Sequence, residues 1–331
     1  TSKKSLLAFP EILFFVPEII ITLKGNQLTI ITNENHQELF DEMLSTEKIN
    51  QQQTNVAAIQ HRTKKEKYLQ HIESIKQQII DGDFYELNYC VEFFAENVSI
   101  NPYQLHHSIC NISPAPFSAF MKLKDKFIIC SSPERFLKKE NNKLISQPIK
   151  GTRRRITNDK TADQKLMNEL IHSEKERAEN LMIVDLVRND LNRTAKTGTV
   201  TVEELCKIYS YPQVHQMIST ITSELAHNIN SIDALKLAFP MGSMTGAPKT
   251  EVMKAIDHYE DVSRGVYSGA IGYFDPEDNF DFNVVIRTIL YNQSSGYLSF
   301  HAGAAITADS IAEEEYEECL IKAAAMMKVL E

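Results

Sequence analysis

Lys150 stands in the segment Pro148-Ile149-Lys150-Gly151-Thr152, at the end of an apolar stretch and just before Arg153-Arg154-Arg155. A lysine between an apolar side chain and a bare backbone can be held out of water beside a ligand. Desolvation disfavours the ammonium form and can leave a nucleophilic amine. The same residues also read as a strand end running into a solvated basic turn, the usual place for a lysine.

Two helical stretches carry Glu-x-x-Glu: Glu176 with Glu179, and Glu315 with Glu318. Spacing of i,i+3 puts each pair on one helix face, where like charges repel unless a cation lies between them. Magnesium suits such a set, because it is a hard cation bound by a few carboxylates with water and substrate oxygens. A solvated acidic face is the competing reading. It is weaker for Glu179, which abuts the apolar run Leu181 to Val184.

Gly242 to Thr250 is glycine-rich, but Ala247-Pro248 separate Gly246 from Lys249, so the G-x-x-x-x-G-K-[ST] phosphate-loop pattern fails. The segment still offers backbone N–H groups and the Thr245 hydroxyl near a helix start, which suits an anion such as a carboxylate. His301-Ala302-Gly303-Ala304-Ala305 follows a strand and lets a ligand approach the backbone at Gly303. Arg287 follows the apolar Val284-Val285-Ile286. A charge there needs a partner, either a ligand carboxylate gripped by the guanidinium fork or an internal acid. His215 reads as a structural or a proton-transfer histidine. Glu134 could act on a ligand or simply pair with its neighbour Arg135.

These residues need elements to hold them. Residues 12–16, 19–23 and 28–31 are β-rich, with a turn at Gly25-Asn26, and 36–48 reads as helix. Residues 49–55 read as a loop. Apolar residues at Tyr68, Ile72, Ile75 and Ile79 give a helix over 64–80, stopped at Asp81-Gly82-Asp83. Strands are expected over 89–95, 117–123, 127–130, 144–148 and 200–202, with a helix over 102–110. One long helix is expected over 160–187, and 214–224 fits strand or helix. Helices follow over 231–238 and 248–259. An antiparallel set covers 269–274, 280–291 and 297–302, and a last helix 311–330. Strands in runs with helices between them indicate an α+β fold with antiparallel sheets.

The 331 residues are 43% hydrophobic and 24% charged, an ordinary globular balance. A net charge of −9 disfavours nucleic acid as a partner. No apolar run approaches the roughly 20 residues that span a bilayer, so no membrane partner is expected. Residues 1–9 lack a signal-peptide pattern. The five cysteines are scattered, which argues against disulfide frameworks and C-x-x-C metal sites. A cytoplasmic location is expected.

Together these segments resemble the chorismate-utilising enzymes: the synthase subunits of anthranilate and aminodeoxychorismate synthases, with isochorismate and salicylate synthases more distant. The matching stretches are Ser132 to Leu137, Pro148 to Thr152, Glu179 to Leu191, Gly242 to Lys249, Gly269 to Phe274, Val285 to Thr288, and Ala308 to Ser310 followed by Glu315, Glu318, Lys322 and Ala323. They span about residues 60–331 in the family's order. The resemblance implies an anthranilate synthase component I-like α+β fold, in which two mostly antiparallel sheets pack together with helices outside. It divides the chain into a reduced N-terminal segment, 1–55, packing on a catalytic domain, 56–331.

The resemblance also implies roles. Glu179 and Glu318, supported by Glu176 and Glu315, would hold Mg2+ against a substrate carboxylate. Arg287, Tyr273, Thr245, Lys322 and the backbone at Gly303 would hold the carboxylates of chorismate. Glu134 would be the general acid/base at the C4 hydroxyl, with His215 beside the ring. Lys150 matches aminodeoxychorismate synthases, whereas anthranilate synthases carry alanine there. It would add at C2 as the C4 hydroxyl leaves. Ammonia would then add at C4 and expel the lysine, giving 4-amino-4-deoxychorismate, the precursor of 4-aminobenzoate in folate synthesis. No cysteine lies in a Gly-x-Cys-x-Gly context, so the ammonia is expected from a separate glutamine amidotransferase subunit or from solution.

Two positions depart from the family pattern. Ala305 replaces a glycine. Glu86 replaces a common glutamine in a segment expected near the inter-subunit side. The short N-terminal part argues against a tryptophan-feedback site. The alternatives are anthranilate, isochorismate or salicylate chemistry on the same fold, and a non-catalytic anion- or metal-binding protein.

Overall fold

The computed structural model describes residue 3 and residues 5–46 and 58–331. The loop expected over 49–55, and with it the division at 55, lies outside the described residues.

A hairpin of β1 (Ile19–Lys24) and β2 (Gln27–Thr32) leads into α1 (His36–Ser45). β3 (Gln60–His61), α2 (Lys65–Asp81), β4 (Glu86–Ala95) and α3 (Pro102–Ile112) follow. Then come five strands: β5 (Phe117–Leu123), β6 (Lys126–Ser132), β7 (Arg135–Glu140), β8 (Lys143–Gln147) and β9 (Ile149–Arg154). Helices α4 (Lys160–Ile171) and α5 (Glu174–Asn192) precede β10 (Thr201–Ser210) and β11 (Val214–Glu224). Next are α6 (Ser231–Ala238), a 3₁₀ turn at Gly242–Met244, β12 (Gly246–Ala247) and α7 (Lys249–Tyr259). The chain closes with β13 (Gly272–Phe274), β14 (Phe280–Asn283), β15 (Thr288–Asn292), β16 (Tyr297–Ile306) and α8 (Ala312–Leu330).

Two large sheets hold most strands, one in the order β12-β4-β16-β15-β6-β5 and the other β10-β11-β8-β7-β14-β13. β3 adds to β4 in the first, and β9 adds to β11 in the second. All these pairings are antiparallel. The α+β expectation therefore holds.

Helices seal the outer faces. On the first sheet, Tyr68, Ile72 and Ile75 of α2, Ile109 of α3 and Tyr316 and Ala323 of α8 pack on Phe93, Ile289 and Phe300. On the second, Ile183, Val184, Val187 and Leu191 of α5 pack on Leu137, Leu144, Ile221 and Phe280. Every residue of β4 and β16 is buried. An alternating pattern is replaced there by continuous burial because both faces are covered.

The chain passes between the sheets four times, and two of the crossings are short, at residues 132–135 and 283–288. These two crossings are bonded to each other: Ser132 Oγ donates to the Val284 carbonyl at 2.6 Å, and Val284 N donates to the Glu134 carbonyl at 3.0 Å. The expected strand over 280–291 is thus two strands in different sheets, and Arg287 lies at their break with φ 49° rather than on a strand. Likewise the single helix expected over 160–187 is two. Ser173 caps the second by accepting from Glu176 N at 3.4 Å, and Ser-x-x-Glu is a capping signature legible in the sequence. Residues 12–16 form no strand: β2 is already paired with β1, and Pro17, lacking an N–H, follows directly. Leu7 is buried against Phe94, Ile128 and Leu290, whereas α1 buries no residue.

Candidate active site

The two short sheet crossings carry an acid, Glu134, and a cation, Arg287. Glu134 is buried at 5% exposure. Burial pushes its carboxyl up to about 7, although a hydrogen bond with Ser243 and the charge of Lys150 pull the other way. It does not pair with Arg135, which grips Asp281 through two bonds of 2.9 Å. Arg287 has no side-chain hydrogen bond or ion pair among the described residues, and burial lowers its pKa. The internal salt bridge weighed from the sequence is absent among the described residues. A guanidinium so placed favours an anion brought from outside.

Lys150 lies on β9, buried at 9% exposure. Gly151 beside it has φ 90°, and a Cβ there would meet Leu170 Cδ1 at 2.9 Å and Glu176 Oε2 at 3.0 Å. Glycine therefore lets α5 lie close against β9. Lys150 Nζ donates to Glu86 Oε1 at 2.9 Å and lies 3.7 Å from Glu179 Oε2. Burial alone would lower its pKa, but Glu86 and Glu179 outweigh burial and raise it. Desolvation, which from the sequence could leave a neutral amine, is outweighed: the lysine lies between two carboxylates that favour its ammonium form. Glu86 is also corrected. It lies on β4 at 1% exposure, facing this lysine rather than a surface.

Each of the four glutamates of the two Glu-x-x-Glu pairs has its own cation. Glu176 pairs with Arg153 at 3.0 Å, Glu179 faces Lys150, and Glu315 pairs with Lys175 at 3.4 Å. Glu318 pairs with Lys322 at 2.6 Å. Burial raises Glu179 to about 7 despite Lys150. The Lys175 ammonium, disfavoured by burial, is nevertheless stabilised by Glu315, Glu179 and Glu318 together. A cation is therefore already drawn among these carboxylates, and their oxygens fit a hard metal ion. As they stand, no three acidic, histidine or cysteine side chains among the described residues are gathered closely enough to hold one.

The remaining residues are less directly placed. His215 is buried with both ring nitrogens engaged, Nδ1 with Ser210 at 2.7 Å and Nε2 with Asp163 at 3.1 Å. These bonds tie it to α4 and not to Lys150 or Glu134. Tyr273 is 63% exposed at the edge strand β13. Thr245 is buried and donates its hydroxyl to the Met241 carbonyl at 3.0 Å. It precedes α7 by four residues, and its N–H is bound to Gly242, so the expected open anion turn is a closed one. The space over Gly303 is filled by β4, since a Cβ would meet the Tyr89 carbonyl at 2.3 Å. Its carbonyl accepts from Lys322 Nζ at 3.0 Å. Ala305 is accommodated opposite Asn88 in the same ladder.

Arg264 was not foreseen. It donates to the Asn88 carbonyl at 2.8 Å, to the Met244 carbonyl and to Glu260, and so secures β4 against the 242–247 turn. The i,i+4 pair with Glu260 is its local signal in the sequence, whereas the bonds to Asn88 and Met244 depend on residues distant in the chain.

The family described as chorismate binding enzyme matches residues 1–328. The chain belongs to this family. It is 40% identical over 265 residues to aminodeoxychorismate synthase component 1 of Bacillus subtilis, covering 80% of this chain and 55% of that protein. It is 38% identical over 281 residues to anthranilate synthase component 1 of Acetivibrio thermocellus, covering 84% and 55%. The crystal structure of anthranilate synthase component I from Streptococcus pneumoniae superposes with a TM-score of 0.79 at 28% identity, covering 91% of this chain and 69% of that one. The anthranilate synthase component I-like fold expected for the family is thus present. The chain spans about half the length of these two relatives matched by sequence. No helix among the described residues is long and apolar enough to cross a membrane.

Proposed function

We propose that this chain carries the synthase reaction of an aminodeoxychorismate synthase, converting chorismate and ammonia to 4-amino-4-deoxychorismate. The observation that supports it is Lys150: a buried lysine held between Glu86 and Glu179, in the same interior as Glu134, whose ionisation its charge favours. Similarity to relatives of both product types leaves the fold common to them, and the lysine distinguishes them.

The unpaired Arg287 would take a substrate carboxylate. Before attack, Lys150 would give up a proton to water. The loss is uphill, because Glu86 and Glu179 favour the Lys150 ammonium. The Lys150 Nζ–C2 bond would form as the two conjugated ring double bonds shift and the C4–O bond breaks. Glu134, also near 7, would protonate the departing hydroxyl as water. Ammonia would then attack C4, giving its extra proton to Glu134, and the C2–N bond would break to return the lysine amine. Splitting one displacement into two allylic ones is covalent catalysis.

Glu179, Glu318, Glu176 and Glu315 would hold Mg2+, each exchanging its present cation for it. The ion would anchor and polarise a substrate carboxylate. Ammonia would come from a glutamine amidotransferase subunit, as the name component 1 of the Bacillus subtilis relative suggests for that protein. The test is incubation with chorismate, magnesium and an ammonium salt, followed by a lyase that releases 4-aminobenzoate. Formation of anthranilate, or no 4-aminobenzoate, refutes the reading.

A further inference from the structure

We propose that Glu86 is a positioning residue for Lys150, fixing its amine in the site and acting on the reaction only through it. This rests on reading Lys150 as the nucleophile. Three observations carry it.

First, Glu86 gives one oxygen, Oε1, to Lys150 Nζ at 2.9 Å, while its other oxygen, Oε2, is buried without a partner. A buried carboxylate satisfied on one side only is costly, and an apolar side chain would fill the place at less cost. Packing therefore does not explain this residue, and Lys150 is the one partner that does. Second, the backbone of Glu86 is clamped. It pairs with Ala247 across β12, Tyr85 N donates to the Ala247 carbonyl at 2.7 Å, and a Cβ on Gly246 would meet the Glu86 carbonyl at 2.0 Å. The carboxylate thus extends from a fixed point. Third, the pair joins the two sheets, because Glu86 lies on β4 of one and Lys150 on β9 of the other.

The two carboxylates on Lys150 are not equivalent. Glu179 is farther, at 3.7 Å, and belongs to the set read as metal ligands. Among the described residues Glu86 has no other side-chain partner. It keeps the lysine placed when Glu179 turns elsewhere.

The experiment compares the Glu86→Ala, Glu86→Gln, Lys150→Ala and Lys150→Ala/Glu86→Ala variants, at saturating ammonium and magnesium. Glutamine keeps an acceptor for Nζ. Glu86→Ala is expected to lower kcat about a hundredfold, the scale of misplacing a reacting group by an ångström. Glu86→Gln is expected to lose less than about tenfold, and the chorismate KM to move less than about threefold in both. Once Lys150 is alanine, adding Glu86→Ala should leave the residual rate unchanged, because a residue that acts through another is non-additive with it. Its melting temperature should rise relative to Lys150→Ala alone, as an unpaired buried charge is removed. Equal losses in the alanine and glutamine variants, an unchanged kcat in Glu86→Ala, or a further fall in rate in the double variant overturns the proposal. Absence of 4-amino product from the wild-type protein overturns the functional reading instead. The melting temperatures test the pairing whatever the product is.

Discussion

At the scale of the residue, what matters is which charges have partners. Arg287 has none among the described residues, so its removal should separate binding from stability. Arg287→Leu is expected to leave the melting temperature unchanged or higher, because a half-buried unpaired charge is replaced by an apolar side chain. It should also raise the chorismate KM by about 10–100-fold, the worth of a charge-assisted hydrogen bond. Steady-state kinetics and a thermal melt check both. Lys150 has the opposite character. Lys150→Ala strands Glu86 and Glu179 in the interior, and should cost about 3–5 kcal/mol in a denaturant titration, besides the loss of 4-amino product. Glu134→Gln keeps the shape of the side chain and removes its proton, so kcat should fall about 10²–10⁴-fold.

Elements position these residues through small local devices. The start of α5 brings Glu176 and Glu179 to β9, and it does so at a cap rather than midway along a longer helix. Ser173→Ala should lower stability by about 1 kcal/mol. It should also speed amide exchange in the first turn of α5, and weaken magnesium binding measured by calorimetry. Unchanged magnesium affinity with faster exchange would mean that this turn does not hold the ion. The periodic helices α2, α3 and α8 were legible in the sequence because their apolar stripes face one sheet. The break at His172–Ser173 and the sheet change at 284–287 leave little local trace, since helix-forming Glu and Lys follow the first, apolar residues run through the second, and only the capping serine or the tertiary crossing interrupts the element.

Across the whole molecule, the site collects buried acids, and this sets a dependence on pH. Glu134, raised from 4.5 to about 7, binds its proton more tightly folded than unfolded. Its stabilising contribution is present below the unfolded value, near 4.5, and is lost as pH rises through about 7. The shift corresponds to roughly 3 kcal/mol at about 1.36 kcal/mol per unit. Glu134→Gln should therefore flatten the fall in stability between about pH 4.5 and 7, and a series of chemical denaturations across that range measures it. Magnesium should compete with the chain's own cations. Lys175→Met, which frees Glu315, is expected to tighten magnesium binding several-fold by calorimetry, and a chelator should abolish turnover.

The sequence by itself determined the fold class, the family and the residue types of the site, because these rest on periodicity and on motifs that are local in the chain. It also marked Arg287 and Lys150 as charges in apolar surroundings. Glu86 carried the same mark, a charge entering the apolar strand β4, but it was read as surface. Only the tertiary structure decided which charges meet. It turned Glu86 inward to Lys150, left Arg287 open, gave His215 to Asp163, and set a cation against each of the four glutamates. Pairing across two sheets depends on distances between residues far apart in sequence. The state of Lys150, an ammonium at rest rather than a free amine, follows from those distances and not from its own neighbours in the chain.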